Sequence, residues 1–252
     1  MKADPVTRRH KMILSYDGTA YVGWQRQAHG DTVQERIETA LVSMCGCPIK
    51  VYASSRTDQG VHARRQTIHG DLPVSAPACS SIQKGLNAIL PPDIRIVSVK
   101  KTNTEFHARF GARGKEYRYY IWNGPILPPD RRLYWTWVRR PLDTRGMQKA
   151  AKHLVGKHNF AAFTASSNRQ VGSTVRRIEF LRISRKAREI VVRVKAAGFL
   201  YRMVRSLVGF LLRVGEGALP PGAAVDILRS RTRTARVPTA PPQGLFLWQV
   251  HY

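Results

Sequence analysis

One segment concentrates groups able to do chemistry: Ser54-Ser55-Arg56-Thr57-Asp58-Gln59-Gly60-Val61-His62-Ala63-Arg64-Arg65. Asp58 is the only acid between Glu38 and Asp71, and Arg56, Arg64 and Arg65 lie close to it in sequence. A carboxylate among cations keeps its charge near neutrality. It can then serve as nucleophile or general base on an anionic polymer, which would otherwise repel it. The same letters also read as an ordinary turn, in which Asp bonds its own backbone and Gly takes positive φ. Local chemistry on its own favours the turn. His62 and His107 are of a type that more often makes structural hydrogen bonds than transfers protons.

The rest of the chain says what such a site would meet. Over 252 residues, 42 Lys and Arg face 16 Asp and Glu, a formal charge of +26. Thirty of the cations are Arg. Guanidinium pairs with phosphate bidentately and stacks on rings, so the excess points to nucleic acid. The cations are spread through apparent strands and helices, not confined to a tail. Hydrophobic residues make up 43%, enough for a packed core. The apolar run 207–212 ends at Arg213, too short to span a bilayer, and Met12-Ile13-Leu14 is too short for a signal peptide. Cys45, Cys47 and Cys79 form no disulfide framework and no zinc-ligand spacing. A reducing cytoplasm is therefore expected, with no metal. A zinc deaminase is disfavoured by the missing His-x-Glu and Pro-Cys-x-x-Cys strings, and an ATP-dependent enzyme by the missing P-loop.

The elements that must position the site follow from periodicity. Alternation predicts strands over 10–16, 49–53, 66–70 and 94–99. Val33, Ile37, Ala40, Leu41 and Met44 recur at helical spacing, with Asp31 as cap and Gln34 three residues on. A second helix is expected over 77–90, stopped by Pro91-Pro92. The second half predicts a strand over 115–122, a helix over 143–154 and strands over 175–183 and 189–195. Helices over 199–214 and 223–228 and a strand over 244–251 follow. Arg202, Arg205, Gly209 and Arg213 share one stripe of the 199–214 helix, where Gly209 permits close approach of another backbone. Both halves read β-α-β-β-α-β, the second with one extra helix. The class is α+β with a largely antiparallel mixed sheet flanked by helices. Two domains are expected, 1–105 carrying the Asp58 loop and 106–252, with an active-site cleft between them.

The string Arg56-Thr57-Asp58-Gln59-Gly60-Val61-His62-Ala63 closely resembles the catalytic motif of the TruA family of tRNA pseudouridine synthases. Further blocks resemble the family in the same order. They are Tyr16-Asp17-Gly18, Gly23-Trp24-Gln25-Arg26-Gln27, Thr32-Val33-Gln34-Glu35, Phe106-His107-Ala108-Arg109-Phe110 and Tyr117-Arg118-Tyr119. Phe199 with Met203-Val204-Arg205 and Val208-Gly209, and then Ala240-Pro241-Pro242 with Gly244-Leu245, complete the set. The likeness runs over roughly residues 10–250.

The resemblance implies the pseudouridine synthase fold and the isomerisation of uridine to pseudouridine at tRNA positions 38, 39 and 40. It implies no cofactor, a tRNA partner and a homodimer. By carry-over, Asp58 is the catalytic carboxylate, attacking the sugar or taking the 2′ proton. Tyr117 stacks on the target uracil, Arg205 pairs with Asp58, Arg56 helps to extrude the base, and Leu245 walls the uracil pocket. Gly60, His62, Arg64 and Arg202 complete the expected substrate contacts. Flipping a paired base costs roughly a few kcal/mol, and stacking on an aromatic face returns about 1–3 kcal/mol. Gln59 stands where the family has a small residue and Gln243 where an acid is common, which bears on target range and rate. Two alternatives share the scaffold: a non-catalytic RNA-binding protein and a synthase acting on other RNA positions.

Overall fold

The alternation around Met12 and Leu14 does form a strand, β1 (Thr7–Tyr16), whose inward side chains are buried. A computed structural model describes residues 6–165 and 172–252. The described residues fall into two compact units, Met1–Arg113 with Leu247–Tyr252, and Gly114–Phe246.

In the first unit, β1 is followed by α1 (Val33–Cys45), β2 (Val51–Ala53), β3 (His62–Pro73), α2 (Cys79–Ile89) and β4 (Ile94–Lys101). β1 lies between β3 and β4, antiparallel to both, and β2 pairs with β3. α1 buries Val33, Ile37, Ala40 and Leu41, as its spacing predicts, and α2 buries Ile82 and Leu86. The cap of α1 is Thr32, one residue beyond the expected Asp31: Thr32 Oγ1 accepts from Glu35 N at 3.3 Å. Asp31 instead accepts from Arg36 Nε at 2.8 Å. Both residue types cap helices, and the ion pair with Arg36 takes the acid out of contention.

The second unit runs β5 (Gly114–Asn123), β6 (Thr136–Val138), α3 (Thr144–Leu154), β7 (Gly156–Asn159), β8 (Val175–Lys186), β9 (Glu189–Ala196), α4 (Met203–Gly215) and α5 (Ala223–Ser230). β9 pairs antiparallel with β5 and β8, β7 pairs antiparallel with β8, and β6 runs parallel to β5. The last strand, β10 (Leu245–His251), begins in this unit and ends in the first. The class is α+β with mostly antiparallel strands, as the periodicity predicts, although β6 and β7 are additional.

The long segment of the first unit runs to Arg113. Phe106–Arg113 packs with the first unit, where Ala108 N donates to His69 Nδ1 at 3.1 Å and the Phe106 and Tyr252 rings lie 5.0 Å apart. The helix expected from Phe199 begins at Met203, because Arg202 is left-handed at φ 55° and breaks the helical run.

Candidate active site

Asp58 sits in the loop joining β2 to β3, half-buried, between exposed Arg56 and exposed Gln59. Its position is fixed by the segment that follows β1. Gly23 and Asp58 form an isolated antiparallel bridge, and Trp24 N donates to Thr57 O at 3.1 Å. Tyr16 and Thr57 share a hydroxyl–hydroxyl hydrogen bond of 2.8 Å. Val61 N donates to Asp58 O at 3.1 Å, which closes the turn. Thr57 thus lends both its side chain and its carbonyl to holding its neighbour.

The glycines in this contact are sterically required. A Cβ on Gly18 would stand 2.1 Å from Val61 O, and one on Gly23, at φ 119°, would stand 2.9 Å from Thr57 O. Two backbones can approach so closely only without side chains between them. Tyr16, Gly18, Gly23 and Trp24 therefore form the seat on which the Asp58 loop rests.

Two further residues steady the loop. Gln66, fully buried on β3, donates from Nε2 to Ser55 O at 2.7 Å, and its Oε1 accepts from Ser55 N at 3.4 Å. Buried amides must be satisfied, so this pair fixes both the Gln rotamer and the Ser55 peptide. Nothing in the sequence singled out Gln66, apart from a polar residue at an inward strand position.

His62 has 0% side-chain exposure. Its Nδ1 lies 3.0 Å from Gly18 N and 3.0 Å from Asp17 Oδ1. The enclosed ring ties the loop to the end of β1.

Arg64 and Arg65 lie on β3, at a bulge, and not in the loop. Tyr16 is paired with Ala63 and Leu14 with Gln66, so two residues of β3 oppose the single Ser15. A bulge turns consecutive side chains to the same side, and both arginines are exposed. Two guanidiniums are thereby presented on the strand that carries the loop onward.

In the second unit, Tyr117 lies on β5 opposite Val194 and is buried. Its ring meets Phe199 edge-on at 5.2 Å and 88°. Arg205, half-buried near the start of α4, donates from Nε to Ala240 O at 2.7 Å, while Ala240 N donates to Arg205 O at 3.0 Å. That reciprocal pair orients the guanidinium. The close approach expected at Gly209 is present: a Cβ there would stand 2.0 Å from Pro238 O. Arg233 braces the same strap, donating to Ser206 Oγ and to Thr239 Oγ1, each at 2.8 Å.

Leu245 is buried, and its amide donates to Pro242 O at 2.9 Å. Tyr119 OH donates to Pro241 O at 2.8 Å and meets Thr136 Oγ1 at 2.5 Å, and burial pushes its phenol well above the ordinary range. Arg202 is exposed, with its guanidinium 4.9 Å from the Tyr201 ring. Among the described residues, no group of three or more His, Cys, Asp or Glu could hold a metal ion.

The first unit thus holds a half-buried carboxylate on a braced loop, and the second an oriented arginine on a helix. Comparison with known proteins gives the family. The tRNA pseudouridine synthase family model matches residues 12–111 and 150–252. The chain belongs to that family. A tRNA pseudouridine synthase A of Exiguobacterium sp. is 40% identical over 245 residues, covering 97% of this chain and 98% of that relative. One from Geotalea uraniireducens is 42% identical over 245 residues, covering 97% and 100%. One from Chlamydia trachomatis serovar A is 41% identical over 249 residues, covering 98% and 93%. Among solved structures the likeness is remote: a Cbf5-Nop10-Gar1 complex gives a TM-score of 0.36 at 14% identity, covering 81% of this chain and 45% of that one.

Members of the family are isomerases, and this synthase carries the blocks on which the resemblance rests as physical contacts. The Tyr16–Gly18 and Gly23–Trp24 blocks touch the Asp58 block directly. The Met203–Gly209 block touches the 238–240 strap. Among the described residues, no helix is long and apolar enough to cross a membrane.

Proposed function

We propose that this synthase isomerises uridine at positions 38, 39 and 40 of the tRNA anticodon arm, with Asp58 as its catalytic carboxylate. The observation that carries the reading is the seat under Asp58. Tyr16, Gly18, Gly23, Trp24 and Gln66 together hold a half-buried acid beside exposed arginines. A turn needed only to reverse the chain has no use for so many braces.

The reaction conserves atoms. The bond from C1′ to N1 breaks, the uracil turns, C5 bonds to C1′, and the proton lost from C5 is balanced by one gained at N1. Asp58 attacks C1′ or removes the 2′ proton, and either role requires an ionised oxygen held close to the ribose. The target nucleotide must leave its stack for that oxygen to reach it. In this reading Arg56 fills the vacated place, and Tyr117 offers its ring to the extruded uracil. Leu245 keeps the detached base from water. Arg205 is assigned to the Asp58 carboxylate, and Gly60, Arg64 and Arg202 to the RNA backbone. The reading also makes the protein a cytoplasmic homodimer.

Incubating the protein with unmodified tRNA transcripts and mapping pseudouridine tests this directly. Product at 38, 39 or 40 supports the reading. Product confined to other positions assigns a different target, and tRNA binding without product makes the chain a binding protein only.

A further inference from the structure

The sheet of the second unit has two chemically distinct faces. Tyr117, Tyr119 and Ile121 of β5 lie opposite Val194, Val192 and Ile190 of β9, and Leu181 and Ile183 of β8 continue the rows. All are buried, and α3 packs against β8, with Gln148 Nε2 donating to Ile183 O at 3.0 Å. The alternate residues form the other face. There Arg118 pairs directly with Arg193, and Arg193 directly with Arg182. Three guanidiniums thus stand in one row across three neighbouring strands, spanning about 10 Å.

Like charges directly opposite one another destabilise a sheet. Local compensation is partial. Glu116 accepts from Arg118 Nε at 2.9 Å and from Arg193 Nε at 3.1 Å, and Glu179 pairs with Lys195 at 2.7 Å. Glu116 has 9% side-chain exposure, so it acts as a buried bolt beneath the row and not as a surface counter-charge. Burial alone would raise its pKa, but the two arginine hydrogen bonds outweigh that and hold it below the ordinary range. Arg182 is exposed and, among the described residues, meets no carboxylate; it stacks on Phe180 at 5.0 Å, a ring that also lies 5.8 Å from Arg193. The Phe180 ring thus lies within cation–π reach of both guanidiniums, which restrains them beside one another.

We propose that this arginine row, on the face of the sheet away from Tyr117 and α3, binds the phosphate backbone of a tRNA helix. The inference rests on the tRNA reading and extends it to a surface outside the site described above. Phosphate is the occupant that turns a repulsive row into an attractive one. Each backbone contact releases about one counterion, so each arginine engaged steepens the salt dependence of binding.

The test compares the full-length protein with Arg182→Gln/Arg193→Gln and with Lys149→Gln/Lys152→Gln, a charge-matched change at exposed positions of α3. Affinity for tRNA transcript is measured from 50 to 200 mM salt. We expect the arginine pair to weaken binding at least tenfold at the low-salt end and to lower the slope of log K against log salt by about 2. Melting temperature should fall modestly, because Arg193→Gln removes one of the two guanidiniums on buried Glu116 while Arg118 remains, and turnover at saturating tRNA should be unchanged. If the arginine pair behaves like the lysine pair, the row does not bind RNA and the inference is overturned. A change in solution mass with unaltered tRNA affinity overturns it too, by giving the face to a second copy of the chain. If the unaltered protein neither binds nor modifies tRNA, the fault lies instead with the underlying tRNA reading.

Discussion

The seat under Asp58 is most sharply probed at Gly18. A methyl group there would lie 2.1 Å from Val61 O and 2.6 Å from Val61 C. Real Cβ atoms stay beyond about 3 Å from such atoms, so the Val61 backbone must retreat by about 1 Å. Val61 N donates to Asp58 O, and Gly18 N donates to His62 Nδ1, so the retreat pulls on both ends of the Asp58 loop. Overpacking of this kind costs about 1–3 kcal/mol. A misplacement of about 1 Å at a reacting group lowers the rate roughly a hundredfold. Gly18→Ala should therefore fold with a lower melting temperature and lose about two orders of magnitude in single-turnover pseudouridine formation. Gly46→Ala is the control. Gly46 caps α1 at φ 70° with nothing within 4 Å of its would-be Cβ, so alanine there costs about 1 kcal/mol of backbone strain and leaves turnover intact. Turnover of Gly18→Ala within twofold of the parent, or an equal loss in Gly46→Ala, would refute the reasoning.

The same logic holds in the second unit, and a titration tests the first. Gly209→Ala sets a methyl 2.0 Å from Pro238 O, which should loosen the Arg205–Ala240 pair, lower stability by about 1–3 kcal/mol and slow turnover; an unchanged melting curve would contradict it. His69 is pushed down to about 4 by burial first and then by the charges of His107 and Arg9, and its Nδ1 accepts from Ala108 N. Below its unfolded value near 6.5, protons prefer the unfolded chain. The stability is thus fully present above pH 6.5 and falls by up to about 3 kcal/mol as pH drops towards 4. His69→Asn keeps an acceptor for Ala108 but does not titrate, so denaturant melts from pH 7 to 4 should be flatter for it than for the parent; parallel curves would sink the assignment.

What the sequence discloses depends on how local the cause is. The first half reads correctly as β-α-β-β-α-β because Met12 and Leu14 alternate and Val33, Ile37, Ala40 and Leu41 keep helical spacing. β7 is invisible in Gly156-Lys157-His158-Asn159, which has no alternation; those residues extend by pairing with Val175–Ile178. β6 is three residues long and becomes a strand through its parallel pairing with β5. Arg64-Arg65 look like loop because a bulge breaks the period there, with Ser15 as their common opposite. Phe199–Arg202 look helical because their spacing is right, yet the left-handed Arg202 ends that run before Met203.

At the site, Asp58 stands out as the lone acid in a basic segment, but that chemistry alone reads as a turn, and it is the resemblance of the whole string to a family motif that singles it out. Gln66 is not legible, since its value comes from Ser55, eleven residues away and across a turn. The tolerance of Gly18 and Gly209 for side chains is likewise set by distant carbonyls, Val61 O and Pro238 O. Gly209 was legible because it interrupts a stripe of arginines on a helix, while Gly18 looks like any turn glycine. His62 is fully enclosed against Gly18, a burial that its place in a basic segment does not disclose.

The role of Asp58 is tested most directly by Asp58→Asn, which keeps shape and hydrogen bonding while removing the charge. Filter binding and pseudouridine mapping on the same tRNA preparation should show tRNA still bound with parental affinity and salt dependence, and no pseudouridine formed. Turnover near the parental rate in Asp58→Asn would contradict the account, because a neutral amide can neither attack C1′ nor take the 2′ proton.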